Sequence, residues 1–183
     1  PEFIQPQPDH DRQDCERAAA KRWIKQYGSE FQPEPVSLLG DDLYANQPLC
    51  QLALTHGFDF IFVCKPASHT HLYEWLAGLD ALDEGLATVT DRRWNGRFHE
   101  IWTYRYENQV PLRAGEAPLW VNWGQLTITH ADTNEQLYRT AFVTNHCLTD
   151  DTVADIIRAG RARWKVENEH NNVDRKSTRL NSS

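Results

Sequence analysis

The 183-residue chain contains no methionine, even at position 1, which predicts a piece cut from a longer reading frame. No apolar run approaches the ~20 residues that a bilayer-spanning helix needs. The opening PEFIQPQPDHDRQ has neither the basic nor the apolar region of a signal peptide. Together these predict no membrane association and a cytoplasmic location. Cys15, Cys50, Cys64 and Cys147 form no CxxC pair and read as free, buried thiols in a reducing compartment. Positive charge is also in deficit: the net charge is −7, so any binding of nucleic acid must rest on local patches.

What is present is the material of one globular domain. Hydrophobic residues make up 40% and aromatic residues 11%, and there are seven tryptophans. The last ten residues, DRKSTRLNSS (174–183), are polar, lack apolar periodicity and read as a non-native tail.

Periodicity predicts a helix over 11–28, with Cys15, Ala19, Trp23 and Tyr27 on one stripe and Gly28 as its C-cap. VSLLG (36–40) reads as a short strand, 47–57 as a helix with Pro48 in its first turn, 58–66 as a buried strand and 69–79 as a helix. Strand, helix and strand at this spacing form a βαβ unit, which implies a parallel pair. From 87 to 145 apolar and polar residues alternate between turn signals such as WNGR and ADTNEQ. That segment predicts an antiparallel sheet inserted into the α/β unit or extending it, with YRTAFVTN returning to the main sheet. A long helix over 148–173 closes the chain, capped by Thr149 and lined by Val153, Ile157 and Trp164.

Two adjacent carboxylates, Asp41 and Asp42, end the first strand. A turn explains them locally. Ligands of α/β sheets, however, bind outside the carboxyl ends of the strands, where Asp41 sits. Gly160, Arg163, Glu167 and Asn171 share a face of the final helix, with a carboxylate and an arginine one turn apart.

The segments LLGDDLYANQPLC, FDFIFVCKPASHTHLYEWL and RARWKVENEHNN, in this order, resemble the DDE transposases of bacterial insertion sequences. The likeness is to the branch with a β-rich insertion before the glutamate, and it covers residues 1–173. It implies an RNase H-like α/β fold, incomplete here, with an antiparallel β insertion over 87–145. It also implies an Asp-Asp-Glu triad holding two Mg²⁺ (or Mn²⁺) ions. The family's second aspartate, in an Asp-x-x-Tyr pattern, maps to Asp41 with Tyr44, and a swap with Asp42 stays open. Its glutamate signature runs tyrosine, two residues, arginine, three residues, glutamate, six residues, lysine. Arg163 and Glu167 match it. Gly160 stands at the tyrosine position, so no tyrosine role carries over, and Asp174 stands at the lysine position, where the tail begins.

The implied partners are insertion-sequence ends and target DNA, with a homodimer in the synaptic complex. In-line phosphoryl transfer needs charge neutralised on the attacking and leaving oxygens, which two metals ~3.5–4 Å apart achieve. Hard Mg²⁺ favours carboxylate oxygen, here Asp41 and Glu167, with Arg163 supporting the glutamate or a phosphate. The family's first aspartate would lie before Pro1, so the chain alone is expected to be catalytically inactive.

Arg92, Arg93 and Arg97 around Trp94, and Arg158, Arg161 and Lys165 near Glu167, are candidate DNA contacts. An exposed hairpin tip and a solvated helix face account for the same residues. His69 and His71 beside Cys64 lack the spacing of a zinc site. Three other readings stay open: a nuclease of the same fold, a catalytically silent DNA-binding or assembly module, and an unrelated α/β protein in which Asp41 ends a turn.

Overall fold

The computed structural model describes residues 12–30, 35–82 and 85–162. Six strands form one mixed sheet in the order β1-β2-β6-β5-β4-β3. They are β1 (Val36–Gly40), β2 (Phe58–Val63), β3 (Ala87–Trp94), β4 (His99–Pro111), β5 (Trp120–His130) and β6 (Gln136–Thr144). β1 and β2 are parallel and all other neighbouring pairs are antiparallel. The helices are α1 (Arg12–Tyr27), α2 (Gln47–Thr55), α3 (Thr70–Asp80) and α4 over 153–162.

The βαβ unit is β1-α2-β2, as its spacing predicts. Asn46 caps α2 by accepting the Leu49 N–H at 3.1 Å, and Pro48 occupies the first turn, where its missing donor costs nothing. β2 is apolar at successive positions because both of its faces are covered. Phe58, Phe60 and Phe62 join Ile24 of α1, Leu49 and Ala53 of α2, and Leu72 and Leu76 of α3. Ile61 and Val63 face the opposite layer with Phe142, Val153 and Ile157. Each such side chain contributes about 1.5–3 kcal/mol of burial free energy.

The predicted insertion is not a separate sheet. β6 pairs with β2 and β5 with β6, so β3–β6 extend the βαβ sheet outward. Other expectations need correction. β2 ends at Val63, before the predicted 66: the Cys64 N–H still bonds the Ala141 carbonyl of β6 at 2.9 Å, but the Lys65 N–H goes to Asp42 and Pro66 has none to give. Gly28 does not cap α1; it opens a 3-10 turn (Gly28–Glu30) packed on His56, whose Cβ lies 2.8 Å from where a Gly28 Cβ would stand. Cys50 and Cys64 are buried free thiols, but Cys147 is exposed, between His146 and Leu148, whose carbonyls accept from the Asn122 and Asn108 side chains. Burial pushes the Cys50 thiol up to about 12 and raises Cys64 as well, which leaves both protonated and inert. Among the described residues, no helix is long and apolar enough to cross a membrane.

Candidate functional site

β1 ends at Gly40, where a side chain would meet Phe62 Cδ1 at 2.7 Å, so only glycine fits. Asp41 follows at the carboxyl end of the strand. Its Oδ1 accepts the Leu43 N–H at 3.0 Å, and its carbonyl accepts the Tyr44 N–H at 3.1 Å, which makes a compact Asx turn. Asp42 has a different task. Its Oδ1 accepts the Lys65 N–H at 2.6 Å, its Oδ2 accepts the Ser68 hydroxyl, and His69 Nε2 stands 3.4 Å from Oδ1. Asp42 therefore ties the end of β1 to the β2–α3 loop. Burial lowers the pKa of His69, with the Asp42 carboxylate opposing that shift, so the imidazole is neutral near pH 7.

α4 lies on the face of the sheet opposite α1, α2 and α3. It begins at Val153, later than the predicted 148, and Thr149 caps the turn that leads into it: Oγ1 accepts the Thr152 N–H at 3.2 Å and the carbonyl accepts the Val153 N–H at 3.0 Å. Ile157 packs against Gly124 of β5, and Gly160 against Phe142 of β6 and Ile61 of β2. The helix thus travels across the sheet from β5 toward β2, whose other neighbour is β1. A Cβ on Gly160 would stand 2.8 Å from Phe142 Cε1 and 2.9 Å from Ile61 Cγ2, so the glycine sets this close approach. Arg163, Lys165 and Glu167 lie outside the described residues.

The arginines of the first basic cluster separate. Alternation along β3 sends Arg93 to the α4 face and Arg92 with Trp94 to the other. Arg93 Cζ lies 4.2 Å from the Trp102 ring centroid. Arg161 of α4 reaches the same ring at 5.2 Å and Tyr138 at 4.7 Å. One candidate from each basic cluster therefore meets on a tryptophan that the sequence reading did not single out. Its signal was legible: Trp102, Tyr104 and Tyr106 alternate along β4 and share one face. Arg93 also donates to Asp91 at 2.7 Å and to the Tyr104 hydroxyl at 3.4 Å. Trp94 is 60% exposed and meets His99 edge-on, with ring centroids 5.0 Å apart. Arg97 is exposed at the hairpin tip, and Arg158 pairs with Asp155 one turn earlier on the solvent side of α4.

Other clusters do less. Ser37 Oγ lies 2.9 Å from His146 Nε2, and Asp59 Oδ2 lies 3.9 Å from that same nitrogen. A Ser-His-Asp relay needs the acid on the other ring nitrogen, so this is a polar tie between β1, β2 and the segment after β6. Among the described residues, no three His, Cys, Asp or Glu side chains group to hold a metal. The donor chemistry at Asp41 suits a hard cation, and Glu167, its expected partner, lies outside the described residues. No family model matches the chain, and no curated protein matches it significantly.

Proposed function

We propose that the chain is the RNase H-like part of a DDE transposase and contributes to metal-dependent strand cleavage and joining at insertion-sequence ends. The observation that carries this reading is the course of α4. The helix runs over β6 and reaches β2, the neighbour of the strand that Asp41 follows, held close by Gly160. Glu167 follows Gly160 by seven residues on the same helical face of the sequence.

On this reading Asp41 and Glu167 hold the divalent ion, and Arg163 steadies Glu167 or a phosphate. A bound Mg²⁺ would supply charge neutralisation on the oxygens of an in-line displacement. The chain's own part is to fix a rigid oxygen donor at a strand end and to hold DNA beside it. The Arg93–Trp102–Arg161 cluster offers guanidinium groups for phosphates on the face that α4 occupies.

A catalytically silent DNA-binding or assembly module is the second reading. The Arg93–Trp102–Arg161 cluster favours it, since guanidinium and aromatic groups hold DNA without a metal. The two part on one experiment, in which the chain is extended upstream by a strand bearing an aspartate and incubated with DNA and Mg²⁺. Strand cleavage that Asp41→Asn abolishes is expected for the transposase. DNA binding without cleavage would replace it with the module.

A further inference from the structure

We propose that the bulge in β4 is the device that positions α4, with Asn108 as its positioning residue. β4 loses register with β5 between Glu107 and Val110, and Gln109 there adopts φ 57°. The bulge changes the phase of the strand. Tyr104 and Tyr106 face the α4 layer, yet Val110 lies in the opposite core, which unbroken alternation would forbid.

The left-handed residue frees Asn108 to act as a strand partner for the chain leaving β6. Its Nδ2 donates to the Leu148 carbonyl at 2.8 Å, and its Oδ1 accepts the Leu148 N–H at 3.0 Å. Beside it, Asn122 accepts the Gln109 N–H at 3.0 Å and donates to the His146 carbonyl at 2.8 Å. The Tyr106 hydroxyl donates to Asp150 at 2.7 Å. Three side chains of β4 and β5 thus grip the segment that begins with His146 and ends in the first turn of α4. The Thr149 cap follows directly on this grip, so the entry point and tilt of α4 are set by the inserted strands. Any tilt at the entry grows along the helix from Val153 to its described end at 162.

The consequence for a metal rests on the function proposed above, and the test separates the two. The full 183-residue chain is compared with Asn108→Ala, Asn108→Asp and, as a control, Asn95→Ala, which removes a comparably bonded asparagine at the hairpin tip. Amide hydrogen exchange reads α4, and electron paramagnetic resonance reads Mn²⁺ binding. Asn108→Ala is expected to speed exchange over 153–162 by about tenfold while α2 stays unchanged. It is also expected to weaken Mn²⁺ binding by about tenfold. Asn108→Asp keeps the acceptor for the Leu148 N–H, falls between, and carries the comparison should the alanine variant not fold. Asn95→Ala does neither. Unchanged α4 exchange, or equal increases in α2 and α4, overturns the positioning role. Mn²⁺ binding that is absent, or indifferent to Asp41→Asn, overturns the metal reading and leaves exchange to judge the clamp alone.

Discussion

Arg93 of β3 and Arg161 of α4 stand over one indole, with their Cζ atoms 4.2 and 5.2 Å from the centroid of Trp102. Two cations tolerate such proximity because the ring's negative face offsets part of their repulsion. Arg93 is further balanced by Asp91, and no hydrogen bond or ion pair between the Arg161 side chain and an acid is seen among the described residues. An anion seated between the two guanidiniums would complete the balance.

The DNA-binding prediction follows from that balance. Arg93→Ala and Arg161→Ala should each weaken binding of duplex DNA and lower the slope of log affinity against log salt by about one. Arg158→Ala should change little, because Arg158 already pairs with Asp155 in solvent. Fluorescence anisotropy over a salt series measures all three.

Adjacent aspartates should behave unlike each other. Asp42→Ala strips partners from the Lys65 N–H and Ser68 and should cost about 1–3 kcal/mol in urea denaturation. Asp41→Asn retains an acceptor for the Leu43 N–H, so the Asx turn should survive the substitution. Mn²⁺ titration should reverse the ranking, with Asp41→Asn the more damaging.

Gly160→Ala places a methyl group within 3 Å of Phe142 and Ile61. Neither neighbour is the loose end of a flexible chain; both are buried in the core. Overpacking should cost about 1–3 kcal/mol despite alanine's better helix propensity. A lowered urea midpoint with an unchanged m-value is the expected signature. A stabilised variant would mean that α4 packs less tightly than described.

His69 makes stability depend on pH. Burial lowers its pKa below the ordinary 6.5, so on acidification the unfolded chain takes up the proton first. The folded state should lose stability as pH falls below about 6.5, and that contribution is fully restored above it. Urea midpoints at pH 7.5 and 5.5 should differ less in His69→Gln than in the parent.

Much of the architecture was legible. The alternation of β3–β6, the capped α2 and the run of apolar residues in β2 each state a local preference that the packing keeps. The bulge at Gln109 was not legible, because no glycine marks its left-handed position and Asn108 there pairs with Leu148, forty residues along the chain. Arg92 and Arg93 read as one patch in sequence, yet a strand turns neighbours to opposite faces.

By itself the sequence determined which segments become strands and helices, since periodicity and caps act over a few residues. It also placed an acid at the end of β1. Only the tertiary structure decided that the inserted strands join the βαβ sheet, that Asp42 serves the β2–α3 loop, and that Arg93 and Arg161 share Trp102. Those outcomes depend on contacts between residues far apart along the chain, whose distances are set by how whole faces pack and not by any local preference.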